Sequence, residues 1–498
     1  MSRPGHAAAF ILNPLVKTVH ADTETPVSVY LKLRDAYSCL LESVEGEEKL
    51  ARFSYIAIDP VAILKGTVDG DISLDVRDER FRSLEKIAEE ENELRKVIDL
   101  CLEAFGSSQQ TESIVGTSPM ITSGAFGYFS YDTMHLVERI PFPREPDPSG
   151  LPDVFLLFCD KLVVFDNVKR KVFIVVNYLD EEDRNRAERA IEAIRAKMFQ
   201  PLDPARMQLK PEKHEEVVSN TVKEDYLEKV LVAKEHIRAG DIFQVQVSQR
   251  LKRQLNTRPF DVYRMLRTIN PSPYLYYFDM GDFDIVGSSP ELLVKVSTDE
   301  KGRKIVDTRP IAGTRPRGKT YEEDAWIAQD LLSDEKELAE HLMLIDLSRN
   351  DIGRIAKIGT VETNEMMIIE RYSHVMHIVS NVRGELQDSF SPMDAFWACF
   401  PAGTLTGAPK VRAMEIIYEL EEEKRGLYGG AVGFIDFRGQ LETAIAIRTM
   451  VVRDNVIYFQ AAGGIVADSV PLNEFEETMS KMRAGLRTVE ALEVLEKN

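Results

Sequence analysis

Residues 403–417 read GTLTGAPKVRAMEII: hydroxyls and glycines, then a proline, then a helix-forming run. Proline suits the first turn of a helix, where its missing N–H costs nothing. The run 409–424 is therefore predicted helical, stopping before Gly426. GTLTGAPK (403–410) then abuts a helix N-terminus, where free N–H groups and the helix dipole favour an anion. It is not a phosphate-binding P-loop: the GxxxxGK[ST] spacing is absent, and Val411 follows Lys410.

Working outward, QAAGGIV (460–466) sets Gly463 and Gly464 inside a strand-like run, a pattern that marks close approach of backbone to a ligand. A last helix is predicted over 474–497. Upstream, PIAGTRPRG (310–318) joins two glycines to Arg315 and Arg317. Such a loop either presents N–H groups and guanidinium forks to a carboxylate or is a surface turn with basic decoration. A helix over 334–348 carries HLMLIDL. Glu340 there, and Glu476 and Glu477 in NEFEETMSKMRAG (473–485), suit a hard divalent cation. Glu477 and Lys481 also have the i,i+4 spacing of a surface ion pair. His374 and His377 (HVMH) have the spacing of a metal pair, but they lack HExxH and an acidic third ligand, so packing or hydrogen bonding competes as an explanation.

A Pro- and charge-rich loop, QPLDPARMQLKPEKHEE (200–216), follows a helical pattern over 183–198. It divides an N-terminal region, 1–200, from a C-terminal region, 217–498. The latter opens with Thr221 and Glu224 at capping-box spacing and an apolar stripe (Tyr226, Leu227, Val230, Leu231, Ile237) ending at Gly240. Strand-like runs dominate the N-terminal region at 53–58, 121–131 and 154–165, with helical spacing over 83–103. The class is mixed α and β; spacing alone leaves the topology open.

The 498-residue length favours about two or three domains. Lys plus Arg total 62 against 82 for Asp plus Glu, a net charge of -20. Such a surface repels phosphate backbones, so no nucleic-acid partner is expected. An anionic small substrate would demand local basic clusters. The four cysteines, Cys39, Cys101, Cys159 and Cys399, form no CxxC pair, which argues against zinc or a disulfide framework and fits a reducing cytosol. No apolar run approaches the ~18 residues of a membrane span. The apolar patch near the N-terminus is interrupted by Asn13 and Pro14, a poor signal peptide. A cytoplasmic location with no membrane partner is expected.

PIAGTRPRG, EHLMLIDLSRND, RYSHVMH, GTLTGAPKVRAMEII, YGGAVG, TAIAIRT and QAAGGIVADS occur in one order. Together they resemble the chorismate-utilising enzymes, most closely the anthranilate synthase component I branch. The resemblance runs from about Asp241 to Gly485, and more loosely through LLES (40–43), ARFSYIAIDP (51–60) and GAFGYFSYD (124–132). It implies an α+β fold of large antiparallel β-sheets flanked by helices, with a chorismate-binding catalytic site in the C-terminal region. It implies Mg²⁺ held by Glu340 and Glu477 against the ring carboxylate of chorismate. Tyr428 and Arg448 are then expected to bind the enolpyruvyl carboxylate. Gly313, Thr314, Ala462, Gly463 and Gly464 should supply backbone and hydroxyl contacts, and Lys481 positive charge. Ala462 departs from the glycine common in relatives.

The implied lyase reaction adds ammonia at ring C2 as the C4 hydroxyl leaves, then eliminates pyruvate to give anthranilate, the first committed step of tryptophan biosynthesis. A leaving hydroxide needs a general acid, and Glu291 in GSSPEL (287–292) matches that place; His377 and Thr404 match residues that assist. Two positions discriminate among relatives. Ala312 stands where aminodeoxychorismate synthases usually carry Lys, and Gln244 in DIFQVQVS (241–248) where isochorismate and salicylate synthases carry theirs. Both favour ammonia as nucleophile; 4-amino-4-deoxychorismate synthase component I is the alternative, and a silent tryptophan- or chorismate-binding protein the non-enzymatic one. No cysteine has a glutaminase GxCxG context, so a separate glutamine amidotransferase subunit is implied. LLES and NPSPYL (270–275) resemble the family's inhibitor-binding segments. Tryptophan is expected to meet Glu42, Ser43, Pro273, Tyr274 and Leu275, the last being Met in many relatives.

Overall fold

The apolar run 154–165 forms two strands, Val154–Cys159 and Lys161–Asp166, and they belong to different sheets. Asp160 marks the crossing. Its fully buried carboxylate meets Arg80 at 2.8 Å and Lys161 at 3.3 Å, and its carbonyl accepts from the backbone and side-chain amides of Asn177. Both strands are buried on both faces, so no alternation betrays the break.

The computed structural model describes residues 8–43, 52–108, 120–203, 216–372 and 375–494. One sheet runs Val218–Ser219, Gln244–Gln254, Val456–Ile465, Thr449–Arg453, Phe283–Ser289, Tyr274–Asp279, Ser38–Glu42, Phe53–Ala57, Lys161–Asp166, Lys171–Tyr178, Phe10–Val19, Phe105–Ser107. The other runs Ile311–Pro316, Val375–Glu385, Lys304–Thr308, Leu292–Thr298, Leu441–Ile445, Ala431–Asp436, Gly124–Phe129, Val154–Cys159, Ala62–Gly66, Ile72–Val76. Among these neighbours only Phe10–Val19 and Phe105–Ser107 are parallel. Each sheet passes unbroken from N-terminal into C-terminal strands. Leu275 pairs with Glu42 in one and Ala431 with Phe129 in the other.

The sheets pack face to face over Cys39, Phe126, Phe155, Leu157, Tyr276 and Phe278. Alternate residues on the same strands, such as Leu40 and Val163, turn outward to the helices Pro26–Leu33, Glu181–Met198, Pro259–Ile269 and Pro471–Val494. The outer face of the second sheet is covered by Leu94–Glu103, Glu335–Gly353 and Pro392–Cys399, while Lys410–Leu420 lies against Gln244–Gln254 of the first. This period-two division of each strand between two cores is what makes four layers from one chain. Among the described residues no helix is long and apolar enough to cross a membrane.

Two helical expectations hold at their starts, although the helix expected over 409–424 stops at Leu420, and the last helix begins three residues before the expected 474. Pro409 precedes Lys410–Leu420, Asp334 caps Glu335–Gly353 through the N–H groups of Lys336 and Glu337, and the last helix spans Pro471–Val494. Gly240 ends Lys223–Ala239 at φ +83°. The capping box does not form. Val222 is the N-cap, and Thr221 is engaged instead by Ser219 and Asn220, because the preceding Val218–Ser219 is pinned to the sheet edge. The 83–103 pattern breaks into a turn of 3₁₀ helix, Glu79–Leu84, and helices Glu85–Glu90 and Leu94–Glu103; of the two α-helices only Leu94–Glu103 contributes fully buried side chains.

Candidate active site

Val456–Ile465 lies beside Gln244–Gln254, with Gly464 opposite Gln246 and Ala462 opposite Ser248. A Cβ on Gly464 would stand 2.8 Å from Gln244 Nε2 and 2.9 Å from Gln246 Nε2, so a side chain there would displace both amides. Gln244 Nε2 donates to Glu340 Oε1 at 2.9 Å, which joins this wall to the helix Glu335–Gly353. From the last helix, Lys481 Nζ donates to the Ala462 carbonyl at 2.9 Å and pairs with Glu477 at 2.7 Å. The Ala462 N–H faces the buried Tyr428 phenol.

The opposite wall carries a bulge between Ala312 and Thr314, where Gly313 sits at φ +65°. Its carbonyl accepts from His377 Nδ1 at 2.9 Å, and Thr314 Oγ1 lies 3.1 Å from the same nitrogen. Burial holds the imidazole below its ordinary pKa. With Nδ1–H committed to a carbonyl, the neutral ring keeps a lone pair on Nε2.

Glu291 joins the two walls. It follows Phe283–Ser289 and is nearly buried, its carbonyl accepts from Ile445 N–H, and its carboxyl faces the Ile311 N–H and the Thr404 hydroxyl. Burial pushes its pKa up to about 8, against weaker opposing pulls that include Lys481. The carboxyl therefore holds a proton at neutral pH. Thr404 Oγ1 is buried beside the Glu291 carboxyl and lines with it a cavity of about 30 Å³. That volume takes about one water.

Arg448 reaches in at φ +52°, and its backbone carbonyl is held by the Ser288 N–H. Water reaches the residue, yet protein surrounds it so closely that loss of hydration pulls its pKa down despite Tyr428 and Glu477 nearby. No carboxylate pairs with its guanidinium among the described residues. The charge is open to a ligand.

Thus Gly313, Thr314 and His377 form one group, and Tyr428, Arg448, Ala462, Glu477 and Lys481 another. Glu291 and Thr404 stand between them, with Gly463, Gly464 and Glu340 alongside. Among the described residues no three His, Cys, Asp or Glu side chains cluster at metal-binding distance; His374 lies outside those residues. The guanidinium groups of the 310–318 loop serve the protein itself: Arg315 pairs with Asp330, Asp334 and Glu337, and Arg317 with Asp324. Ser43, Pro273, Tyr274 and Leu275 lie elsewhere, together with Glu42, around a separate cavity of about 190 Å³. Sequence reading missed Glu337 and Glu474, both raised in pKa chiefly by burial and further by Glu340 and Glu477 respectively. Their i−3 spacing from the two singled-out glutamates was the available signal.

These two facing walls around an open cation and a protonated carboxyl define a site for a small acidic molecule. Residues 60–487 match the profile of the chorismate binding enzyme family. Anthranilate synthase component 1 of Pseudomonas aeruginosa is 47% identical over 487 residues, covering 96% of this chain and 95% of that protein. That of Acetivibrio thermocellus is 45% identical with the same coverage. The crystal structure of anthranilate synthase component I from Streptococcus pneumoniae superposes with a TM-score of 0.75 at 36% identity, covering 94% of this chain and 99% of that one. The chain belongs to the chorismate binding enzymes, in the anthranilate synthase component 1 branch. The menaquinone-specific isochorismate synthase from Escherichia coli shares the fold at 16% identity and a TM-score of 0.68.

Proposed function

We propose that this chain is the chorismate-converting lyase subunit of an anthranilate synthase, using Mg²⁺ and ammonia to form anthranilate and pyruvate. One observation carries the reading: Glu291, a carboxyl that keeps its proton, feels the charge of Lys481, whose partner Glu477 lies near the Arg448 guanidinium. In the first step the C2–N bond forms as the C4–O bond breaks; Glu291 gives its proton to the hydroxyl, which leaves as water, and the proton released from the new ammonium restores Glu291. In the second, His377 Nε2 is free to take the C2 proton as the C3–O bond to pyruvate breaks. Arg448 and Tyr428 bind the enolpyruvyl carboxylate throughout, and Lys481 and the bare Gly463–Gly464 backbone let the ring approach.

Glu340 and Glu477 would hold Mg²⁺. The donor set fits, because the Glu337–Glu340 and Glu474–Glu477 pairs crowd like charge on two helices, and Mg²⁺ takes one or two carboxylates while keeping waters and substrate oxygens. When bound it supplies positive charge to the ring carboxylate. Ala312 and Gln244 offer neither an amine nucleophile nor a base for water, which supports ammonia. Its source in this reading is a glutamine amidotransferase subunit. Tryptophan is proposed to inhibit from the Ser43–Tyr274 cavity. The reading places the protein in the cytoplasm.

Purified chain with chorismate, Mg²⁺ and ammonium should yield anthranilate by fluorescence and mass spectrometry, and should use glutamine only with its partner. Isochorismate or 4-amino-4-deoxychorismate as the end product would overturn the assignment.

A further inference from the structure

Arg425 is among the largest fully buried side chains, and it points at no ligand. Its Nε and Nη2 form a fork on both oxygens of Glu421 at 2.8 and 2.7 Å. Nη1 donates to the Leu405 carbonyl at 2.7 Å, and Nη2 also to the Gln246 carbonyl at 2.8 Å. The guanidinium lies 4.6 Å from the Tyr131 ring centroid and 5.9 Å from that of Tyr428. Glu421 in turn accepts from the Ser248 N–H at 2.6 Å. The carbonyl of Arg425 is itself held by Arg250 Nη2 at 3.1 Å.

Apart from those with Tyr131 and Arg250, these contacts land at or beside residues assigned to the site. Leu405 follows Thr404. Gln246 and Ser248 are the register partners of Gly464 and Ala462. Tyr428 is three residues along the chain and under the same cation. A charge this deep, with its donors spent on protein acceptors, is a costly way to stabilise a core, since apolar residues of similar volume would serve as well. What the ion pair adds is geometry: a planar fork fixes directions that packing leaves soft.

We propose that the Glu421–Arg425 pair is a positioning unit for the reaction, holding the Thr404 turn, the Gly463–Gly464 strand and Tyr428 at fixed separation. The inference rests on the reading above, in that the three segments are taken to face chorismate.

Arg425→Lys keeps the charge but loses the fork. In the full chain with ammonium it should lower kcat/KM for chorismate about a hundredfold, the scale of a roughly 1 Å misplacement. Chorismate affinity, read by fluorescence quenching without ammonium, should weaken about tenfold, a shift of about 1.4 kcal/mol. Arg80→Lys serves as the control, because Arg80 is a half-buried hub on Asp78, Asp160 and Asp183 and touches none of these segments. It should lower Tm while leaving kcat and KM unchanged. If Arg425→Lys does not fold, the double variant Glu421→Met with Arg425→Met removes both charges at similar volume and should fold with the same kinetic loss. Unchanged kinetics in a folded Arg425 variant, or an equal loss in Arg80→Lys, would overturn the proposal. A parent chain that makes no anthranilate would instead sink the functional reading.

Discussion

The cavity at Ser43 and Tyr274 and the cleft at Arg448 draw on the same two sheets but treat charge in opposite ways. In the cavity every charge has its counterpart nearby. Glu42 accepts from Tyr263 and Arg267, and Lys295 pairs with Glu442 at 2.8 Å. In the cleft Arg448 has no such partner among the described residues, His377 is neutral and Glu291 keeps its proton. A balanced cavity suits a zwitterion of no net charge. The cleft also holds Glu340 and Glu477 beside Lys481, and with a divalent cation on those two carboxylates its charge would suit a dianion.

The contrast breaks most sharply at the proposed metal ligands. Glu340→Gln or Glu477→Gln should cost about a thousandfold in anthranilate formation, the scale of several kcal/mol of lost charge stabilisation. Near-normal rates at low Mg²⁺ would remove both from the site. Arg448→Met should lower kcat/KM about a hundredfold, as when one member of a buried charge pair is lost. Its Tm should stay close to that of the parent, since no carboxylate pairs with the guanidinium among the described residues. A fall in Tm would mean that Arg448 has a structural partner after all.

The pH dependence is gentler. With free ammonia held constant, kcat/KM should fall as pH rises through about 8, where Glu291 gives up its proton. The sign for folding is the same. A carboxyl whose pKa is raised on folding contributes no penalty below its unfolded value, near 4.3, and costs stability progressively as pH climbs to about 8. A rate profile flat across that window would take the general acid away from Glu291. The smallest effect on turnover belongs to the cavity. Ser43→Phe should fill it, leave the uninhibited rate nearly unchanged and abolish tryptophan inhibition; initial rates with and without tryptophan decide it.

Local readings succeeded where one residue type has one physical use. Asp334 and Pro409 do start helices. They failed where the partner is remote. Nothing in PIAGTRPRG shows that Asp330, Asp334 and Glu337 will arrive to take Arg315. Nothing in the run 154–165 shows that Asp160 turns the chain from one sheet to the other. Arg425 ends the charged run EEEKR (421–425), which reads as a solvated face; only its place just before GLYGG hinted at burial. The ordered motifs identified the site because they carry these remote contacts as a set.

The unbroken pairing of N-terminal with C-terminal strands also sets a timetable for synthesis. Gly124 faces Asp436 across the second sheet, so its strand leaves the ribosome roughly 300 residues before its partner. At about 10 residues per second that is about half a minute. For that time Gly124–Phe129, buried at every position in the finished protein, presents an apolar edge with nothing to pair with. Neither half expressed alone should therefore complete either sheet.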